Sequence, residues 1–287
     1  MFQNSGDTHF TSQGLLGQGG FGAVDLVVSR LSFARYARKR VLRGRDSDSN
    51  RREQASILEE LKQLKRLSHR HLVKIIGSYT DKEYIAYLMS PVAHGTLDQF
   101  LTRTGILHSG QLEMLRRFYG CLAGAVHHLH KNRIRHRDLT ARNILIYDSG
   151  VYLSDFGSAY NWAHRPTSNT RHMNIPVSPD YMAPEVARKE QVGSSSDLWS
   201  LGIVFLEMTT RLLGRQIDEL RGRISSHARK TKAAPYIYAN YPVVSSWLED
   251  LRLGNMEINQ GMARRSDRLC RDLRPSTKPA PGYYRGA

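Results

Sequence analysis

The fold is decided by residues 136–143, which read HRDLTARN. This stretch sets the carboxylate of Asp138 five residues before the amide of Asn143. An aspartate in this setting can orient a hydroxyl nucleophile and accept its proton, and an asparagine one turn away can hold a metal ion. The spacing therefore indicates a site for chemistry on a hydroxyl group.

Three further motifs follow in order. The apolar stretch 151–153 runs into residues 155–157, DFG, which begin twelve residues after Asn143. Residues 183–185 read APE, and residues 197–202, DLWSLG, open an apolar stretch that is typical of a buried helix. Each motif alone could arise by chance, but their order and spacing together indicate one common site.

Upstream, residues 17–24 read GQGGFGAV, and glycines in this pattern let backbone N–H groups approach phosphates. A dinucleotide-binding turn uses the same glycine spacing but opens directly into a helix. Here residues 24–28 continue as a strand, which favours a hairpin that covers phosphates. Lys39 lies 17 residues after Gly22 in a second strand, and taken alone it indicates a surface lysine on an edge strand.

The chain changes character near residues 90–92. Before this point, leucines at helical spacing predict one helix near residues 58–67. Short β-prone stretches around it predict four strands, at residues 24–28, 36–41, 72–79 and 84–89.

After residue 92 the pattern becomes helical. An apolar stripe predicts a long helix over 112–129, and residues 198–208 are apolar enough for a buried central helix. The basic stretch 209–240 has few large apolar residues and is predicted as loop or short helix.

The composition is that of a globular protein. The 287 residues can bury a core without a disulfide or metal, and 40% hydrophobic with 24% charged residues argue against disorder. No apolar run approaches the roughly 18 residues of a membrane span, and the start does not resemble a secretory signal. Cys121 and Cys270 lie far apart, which fits a reducing compartment, so we expect an intracellular protein of the cytoplasm or nucleus.

The net charge of +16 indicates a basic surface that attracts acidic or phosphorylated partners. No zinc-finger or RNP signature accompanies the charge. Nucleic acid is therefore not the expected partner.

Through these motifs, the sequence resembles the eukaryotic protein kinase domain from about Phe10 to about Pro275. The resemblance implies transfer of the γ-phosphate of ATP, with Mg²⁺, to a hydroxyl group of a protein substrate. It also implies an α+β fold of two lobes, in which a small antiparallel sheet with one helix precedes a larger, mainly helical lobe.

The implied boundaries divide the chain into four parts around a hinge at about 89–93. They are a frayed N-terminus at 1–10, an N-lobe at 11–89, a C-lobe at 90–276 and an irregular tail at 277–287.

The resemblance also assigns roles to single residues. Lys39 would contact the α and β phosphates and be oriented by Glu60, with Glu59 as the alternative. Asp138 would be the catalytic base, and Asn143 and Asp155 the Mg²⁺ ligands. The contacts to ATP would come from Leu16, Gly17, Gln18, Gly19, Gly20, Phe21, Gly22, Val24, Ala37, Lys39, Met89, Val92 and Leu145.

An apolar stack that joins the lobes would be formed by Leu64, Ile75, His136 and Phe156. Glu185 would pair with an arginine near the C-terminus, for which Arg274 is the best candidate.

Two features point to different acceptor classes. Thr140 stands where serine/threonine kinases usually carry a lysine, and residues 140–142 resemble the Ala-Ala-Arg of many tyrosine kinases. Residues 178–181, SPDY, resemble the serine/threonine type, which we favour because this loop touches the substrate. Arg142 is then expected to supply the positive charge at the γ-phosphate that Thr140 cannot supply.

The alternative function is a pseudokinase that binds nucleotides or partners without catalysis. Each expected catalytic position carries the expected residue type, which favours the enzyme.

Overall fold

The computed structural model describes residues 8–19, 22–42, 65, 67–81, 83–163, 167 and 178–254. The chain divides into two compact units, with the boundary between Tyr241 and Pro242. Every strand within the described ranges lies in the first unit, and the described part of the second unit is helical over residues 242–254. None of the helices in these ranges is long and apolar enough to cross a membrane.

Five antiparallel strands form one sheet in the spatial order β1-β2-β3-β5-β4. They are β1 (Phe10–Gly19), β2 (Gly22–Ser29), β3 (Arg35–Leu42), β4 (Lys74–Thr80) and β5 (Tyr84–Ser90). β3 lies between β2 and β5, and Lys39 on it is buried. The interpretation of Lys39 as a surface lysine on an edge strand is therefore wrong, because β3 has a neighbour on both sides.

Strand β1 was not among the four predicted strands. It starts at Phe10, one residue before the predicted N-lobe, because Phe10 pairs with Ser29 and its ring stacks on Tyr79 at 5.9 Å. β4 starts at Lys74, since Leu72 instead forms a parallel bridge to Leu153. Most of the helix predicted near residues 58–67 lies outside the described residues.

The rest of the first unit is mainly helical. Its helices are α1 (Leu97–Leu101), α2 (Ser109–Lys131), α3 (Pro184–Ala187), α4 (Ser195–Leu212) and α5 (Ile217–Thr231). One short strand, β6 (Gly95–Thr96), precedes α1. Four more lie between α2 and α3: β7 (Ile134–Arg135), β8 (Ile144–Tyr147), β9 (Gly150–Leu153) and β10 (Tyr160–Asn161). They pair as β6-β8-β9 and as β10-β7. The expected α+β fold, with an antiparallel sheet before a helical lobe, is confirmed.

Helix α2 begins at a capping box, in which the side chains of His108 and Gln111 each accept the other residue's backbone N–H. One face of α2 buries residues at helical spacing: Leu115, Phe118, Leu122, Ala125, Val126 and Leu129. Helix α4 buries apolar side chains around most of its circumference, as expected for the central helix of a lobe. The hydroxyl of Tyr119 on α2 lies 2.7 Å from Thr209 Oγ1 on α4, so a polar contact accompanies the apolar packing of the two helices.

Helix α5 corrects the prediction of loop or short helix for residues 209–240. It is 15 residues long and buries Ile217, Leu220, Ile224 and Ala228. These positions share one helical face, although basic residues dominate the sequence around them. The formation of this helix follows from the spacing of a few apolar residues and not from the basic composition of the stretch.

Candidate active site

The loop after β7 is held in place by Asp197 from the first turn of α4. Its carboxylate accepts the backbone N–H groups of His136 and Arg137, both at 2.8 Å, and lies 2.9 Å from His130 Nε2. Burial alone raises the pKa of Asp197, but the bonds from His130 and the two backbone groups outweigh it and lower the pKa. Arg137 adopts a φ of 67°, a conformation that these bonds help to stabilise.

Asp138 has contacts at both carboxylate oxygens. The amide nitrogen of Asn143 donates to Oδ2 at 2.9 Å and to the backbone oxygen of Asp138 at 2.8 Å. The hydroxyl of Ser178 donates to Oδ1 at 2.9 Å. Thr140 accepts the backbone N–H of Asn143 through Oγ1 at 3.3 Å, which fixes the turn between the two site residues.

The same loop positions Asp155. Ser154 donates to the backbone oxygen of Asn143 through both its N–H and its hydroxyl, each at 2.8 Å, while His136 Nε2 lies 2.9 Å from Ser154 O. The next residue, Asp155, has a φ of 59°. This left-handed turn directs the chain from the end of β9 into the following 3-10 turn.

Lys39 and Asp155 connect the sheet to this loop. Lys39 Nζ lies 2.5 Å from Asp155 Oδ1, although 116 positions separate the two residues. The lysine side chain is 7% exposed and the aspartate side chain 31%. The buried ammonium of Lys39 and the partly exposed carboxylate of Asp155 therefore provide two opposite charges at the edge of a site that solvent still reaches.

The oxygen donors fit Mg²⁺. The amide nitrogen of Asn143 is bonded to Asp138, so its amide oxygen is left as a possible ligand. Asp155 adds a carboxylate, and Mg²⁺ is commonly held by one or two protein oxygens together with water and phosphate oxygens. Within the described ranges no group of three or more His, Cys, Asp and Glu residues could hold a metal ion.

One face of the sheet collects several of the predicted ATP contacts. Val24 pairs directly with Lys39, and Ala37 pairs directly with Met89. Directly opposed residues share a face, and Ala37 and Lys39 are two apart on β3, so all four lie on the same side. Leu145 lies on β8, opposite Tyr152 and Thr96, and Val92 follows β5.

The glycines of the hairpin between β1 and β2 have different reasons to be glycine. A Cβ on Gly22, whose φ is 117°, would lie 2.0 Å from the backbone oxygen of Arg40, so the fold itself requires glycine there. A Cβ on Gly17 would meet no described atom within 4 Å. Leu16 and Gln18, the neighbours of Gly17 in the strand, are exposed. Gly19 pairs with Gly22.

Part of the expected apolar stack is present. The rings of His136 and Phe156 lie 5.2 Å apart, and Ile75 is buried in the same core as Phe156. Leu64 lies outside the described residues.

Several other expected site residues also lie outside the described residues: Gly20, Phe21, Glu59, Glu60 and Arg274. Arg142 is exposed on the 3-10 turn Ala141–Asn143, next to Asn143.

Sequence reasoning missed the contacts made by Ser178, Ser154 and Asp197. Asp197 was visible as the acidic residue that opens the apolar helix, and a buried carboxylate there needs donors nearby. Ser178 and Ser154 carried no comparable signal, since serines are common in loops.

Comparison with known proteins agrees with this geometry. Residues 10–251 match the protein kinase domain family. The chain is 32% identical over 201 residues to mitogen-activated protein kinase kinase kinase 2 of Arabidopsis thaliana, covering 68% of this chain and 30% of that protein. It is 32% identical over 227 residues to mitogen-activated protein kinase kinase kinase 3 of the same plant, covering 78% and 34%.

A human relative is equally similar. The chain is 31% identical over 199 residues to mitogen-activated protein kinase kinase kinase 3 of Homo sapiens, covering 68% of this chain and 31% of that protein. The aligned part therefore spans about a third of the length of these relatives. Since the family match runs from the first strand to the helix of the second unit, this chain belongs to the protein kinase domain family.

Proposed function

We propose that this chain is an ATP-dependent protein kinase that phosphorylates serine or threonine hydroxyls of protein substrates. One continuous set of contacts carries the proposal. Ser178 bonds to Asp138, Asp138 to Asn143, Asn143 to Ser154, and the next residue, Asp155, pairs with Lys39. This continuous arrangement supports the proposed roles of Asp138 as base, of Asn143 and Asp155 as metal ligands and of Lys39 as the phosphate-binding cation.

Asp138 is the proposed base. Asn143 and Ser178 orient its carboxylate, so the acceptor hydroxyl meets a preset oxygen and can transfer its proton there. Phosphoryl transfer has a loose transition state, so catalysis consists mainly of positioning groups and neutralising charge. Alignment of the hydroxyl with the phosphate supplies a high effective concentration of the nucleophile.

The nucleotide binds against the face that carries Val24, Ala37, Lys39 and Met89 in this proposal, with Leu145 on the opposite side of the adenine. Lys39 binds the α and β phosphates. A Mg²⁺ ion held by Asn143 and Asp155 supplies positive charge to the phosphate oxygens when it is bound. Glu60 is proposed to orient Lys39, and Glu60→Gln should then raise the ATP KM more than Glu59→Gln does.

The contact of Ser178 with Asp138 supports the serine/threonine class. Ser178 begins the segment SPDY, which resembles that class, and the contact brings this segment to the proposed base. The relatives are named as kinases of a protein kinase kinase, which supports a protein as the acceptor. The basic surface is proposed to favour acidic or phosphorylated partners. The two widely spaced cysteines support activity in the cytoplasm or nucleus.

The deciding experiment is incorporation of labelled phosphate from ATP into a mixed protein substrate with Mg²⁺, followed by phosphoamino-acid analysis. We expect phosphoserine and phosphothreonine from the parent chain and a near-complete loss in Asp138→Asn. ATP binding without any incorporation would instead identify a pseudokinase. Phosphotyrosine alone would refute the acceptor class.

A further inference from the structure

Strand β1 has little to fix its position along β2. Residues 11–18 are all exposed, so the strand has no buried face. Its pairing with β2 shifts twice, between Ser12 and Gly14 and again between Leu15 and Gly17. Register is weakly specified in a strand that is exposed on both sides and rich in glycine. A one-residue slip would remove Gly17 from its position opposite Val24 and turn it to the other face of the sheet.

Asp25 on β2 lies between these two irregularities. It pairs with Leu15, and its neighbour Val24 pairs with Gly17. The side chain of Asp25 is 2% exposed and faces away from the side of the sheet that carries Val24 and Lys39.

Arg38 holds the carboxylate of Asp25 from directly across β3. Its Nε donates to Oδ1 at 3.0 Å and its terminal nitrogen to Oδ2 at 2.7 Å, while Arg38 itself is 2% exposed. A two-bond contact between a planar guanidinium and a carboxylate fixes direction as well as distance.

Both residues of this pair are linked to β1, Asp25 directly and Arg38 through Tyr79. Ser12 donates its hydroxyl to Asp25 Oδ2 at 2.8 Å. The backbone partner of Ser12 is Val27, so this bond runs diagonally past the first irregularity. Arg38 also donates to the hydroxyl of Tyr79 at 3.0 Å, and the ring of Tyr79 stacks on Phe10.

Stability alone does not explain a buried pair of this kind. Removing two charges from water costs free energy, and an apolar pair of similar volume is often as stable or more stable. Burial raises the pKa of Asp25, but the hydrogen bonds from Arg38 and Ser12 outweigh it and lower the pKa, so the carboxylate is charged and remains an acceptor for Ser12. What the pair adds is a directional acceptor beside the first irregularity of a strand whose residues 11–18 are exposed.

We propose that Asp25 and Arg38 are positioning residues that set the register of β1 and thereby place Gly17, the partner of Val24, on the nucleotide face. The inference rests on the proposed function, because it takes the hairpin between β1 and β2 as the cover of ATP. The pair acts through Ser12 and does not touch the nucleotide.

The first test is Ser12→Ala, which removes the link to β1 and leaves Asp25 and Arg38 bonded to each other. We expect about tenfold weaker binding of a fluorescent ATP analogue, equivalent to about 1.4 kcal/mol. The ATP KM should rise by a similar factor with little change in kcat, and amide hydrogen exchange across residues 14–18 should become faster. Thr11→Ala is the matched control, since it removes an exposed contact of the neighbouring residue with Arg30. It should leave all three measurements unchanged.

The second test replaces the pair by apolar residues of similar volume, Asp25→Leu with Arg38→Met. We expect a melting temperature close to that of the parent, together with the nucleotide-binding and exchange changes of Ser12→Ala. A purely structural pair would give the reverse: an altered melting temperature and unchanged nucleotide affinity. If the double variant does not fold, Ser12→Ala decides the question.

The inference is overturned if Ser12→Ala binds nucleotide and exchanges its amides as the parent does, or if Thr11→Ala has the same effects. A parent chain that binds no ATP would instead refute the proposed function. Hydrogen exchange in Ser12→Ala would still report on the register without nucleotide, so the two failures are distinguishable.

Discussion

At the scale of single residues, Asp138, the proposed base, is held in place by contacts within the chain. Its two carboxylate oxygens accept bonds from different segments, Asn143 in the same loop and Ser178 forty positions later. Rotation of the carboxylate would break one of them. If Asp138 is the base, as proposed, the acceptor hydroxyl meets an oxygen whose direction is already set.

Asp138→Asn should lower kcat by at least ~10². The amide nearly keeps the shape of the carboxylate but cannot take up the proton, while ATP affinity should change little because Asp138 is not among the proposed nucleotide contacts. The measurement is steady-state kinetics with a direct ATP-binding titration. Asp148→Asn, an exposed aspartate near His94, is the matched control and should behave as the parent. Comparable turnover in Asp138→Asn would refute the assignment.

Arg142 and Thr140 give a second prediction at this scale. Thr140 supplies no charge and uses its hydroxyl to accept a backbone N–H, while Arg142 is exposed beside Asn143. If Arg142 neutralises the γ-phosphate, Arg142→Ala should lower kcat by ~10²–10³. Adding Thr140→Lys should restore part of the loss.

The four chains to compare are the parent, each single variant and the double variant. Arg188→Ala, which removes an exposed arginine paired with Glu190, controls for loss of surface charge. Unchanged kcat in Arg142→Ala, together with a gain from Thr140→Lys alone, would show that the arginine is only a surface residue.

At the scale of elements, helix α4 is bonded through one side chain to the loop that carries the proposed catalytic residues. Asp197 in its first turn accepts two consecutive backbone N–H groups of residues 136 and 137. His136 and Asp197 are both buried, so the carboxylate is the acceptor that satisfies these donors within the fold. The loop and the central helix are therefore expected to form and unfold together.

Asp197→Ala should reduce the free energy of unfolding by about 3 kcal/mol, because it leaves buried N–H groups without an acceptor. Chemical denaturation, with a comparison of midpoint and slope, measures the change. Asp218→Ala on the exposed side of α5 should change stability by less than about 0.5 kcal/mol. A loss below about 1 kcal/mol in Asp197→Ala would mean that water or another group replaces the carboxylate.

At the scale of the whole molecule, buried acids make stability depend on pH in two separate ranges. The pKa values of Asp25 and Asp197 are lowered, so their contribution is present at neutral pH and is lost only as the pH falls below their usual value of 3.8. Glu207 behaves in the opposite way. Burial raises its pKa to about 7 from a usual value of 4.5, despite bonds from Tyr181 and Arg221.

Because folded Glu207 keeps its proton longer than the unfolded chain does, its contribution is full below pH 4.5 and declines as the pH rises through 7. The loss is on the order of 3 kcal/mol. Glu207→Gln should remove this decline, so its melting temperature should fall less than that of the parent between pH 5 and pH 8. Glu190→Gln, an exposed acid, should follow the parent curve. Parallel curves for Glu207→Gln and the parent would show that the carboxyl is already ionised across this range.

The sequence by itself determined the family, the order of the lobes and the residue types of the site, because these depend on local patterns. Residues 136–143 and 155–157 are short, contiguous and chemically specific, and the strands at 24–28 and 36–41 follow from β-propensity over a few residues. Helix α5 was predicted only as loop or short helix, because few apolar residues mark its buried face within a basic stretch.

Only the tertiary structure decided which distant groups meet. Lys39 and Asp155 are 116 positions apart, Asp197 and Arg137 are 60 apart, and Ser178 lies 40 after Asp138. No local pattern encodes such contacts, since they arise when separate elements bury their apolar faces against one another and bring polar groups within bonding distance. The same packing buries Arg38 on the side of the sheet opposite to Lys39. From the sequence of β3 alone, Arg38 would be predicted to lie on an exposed basic strand.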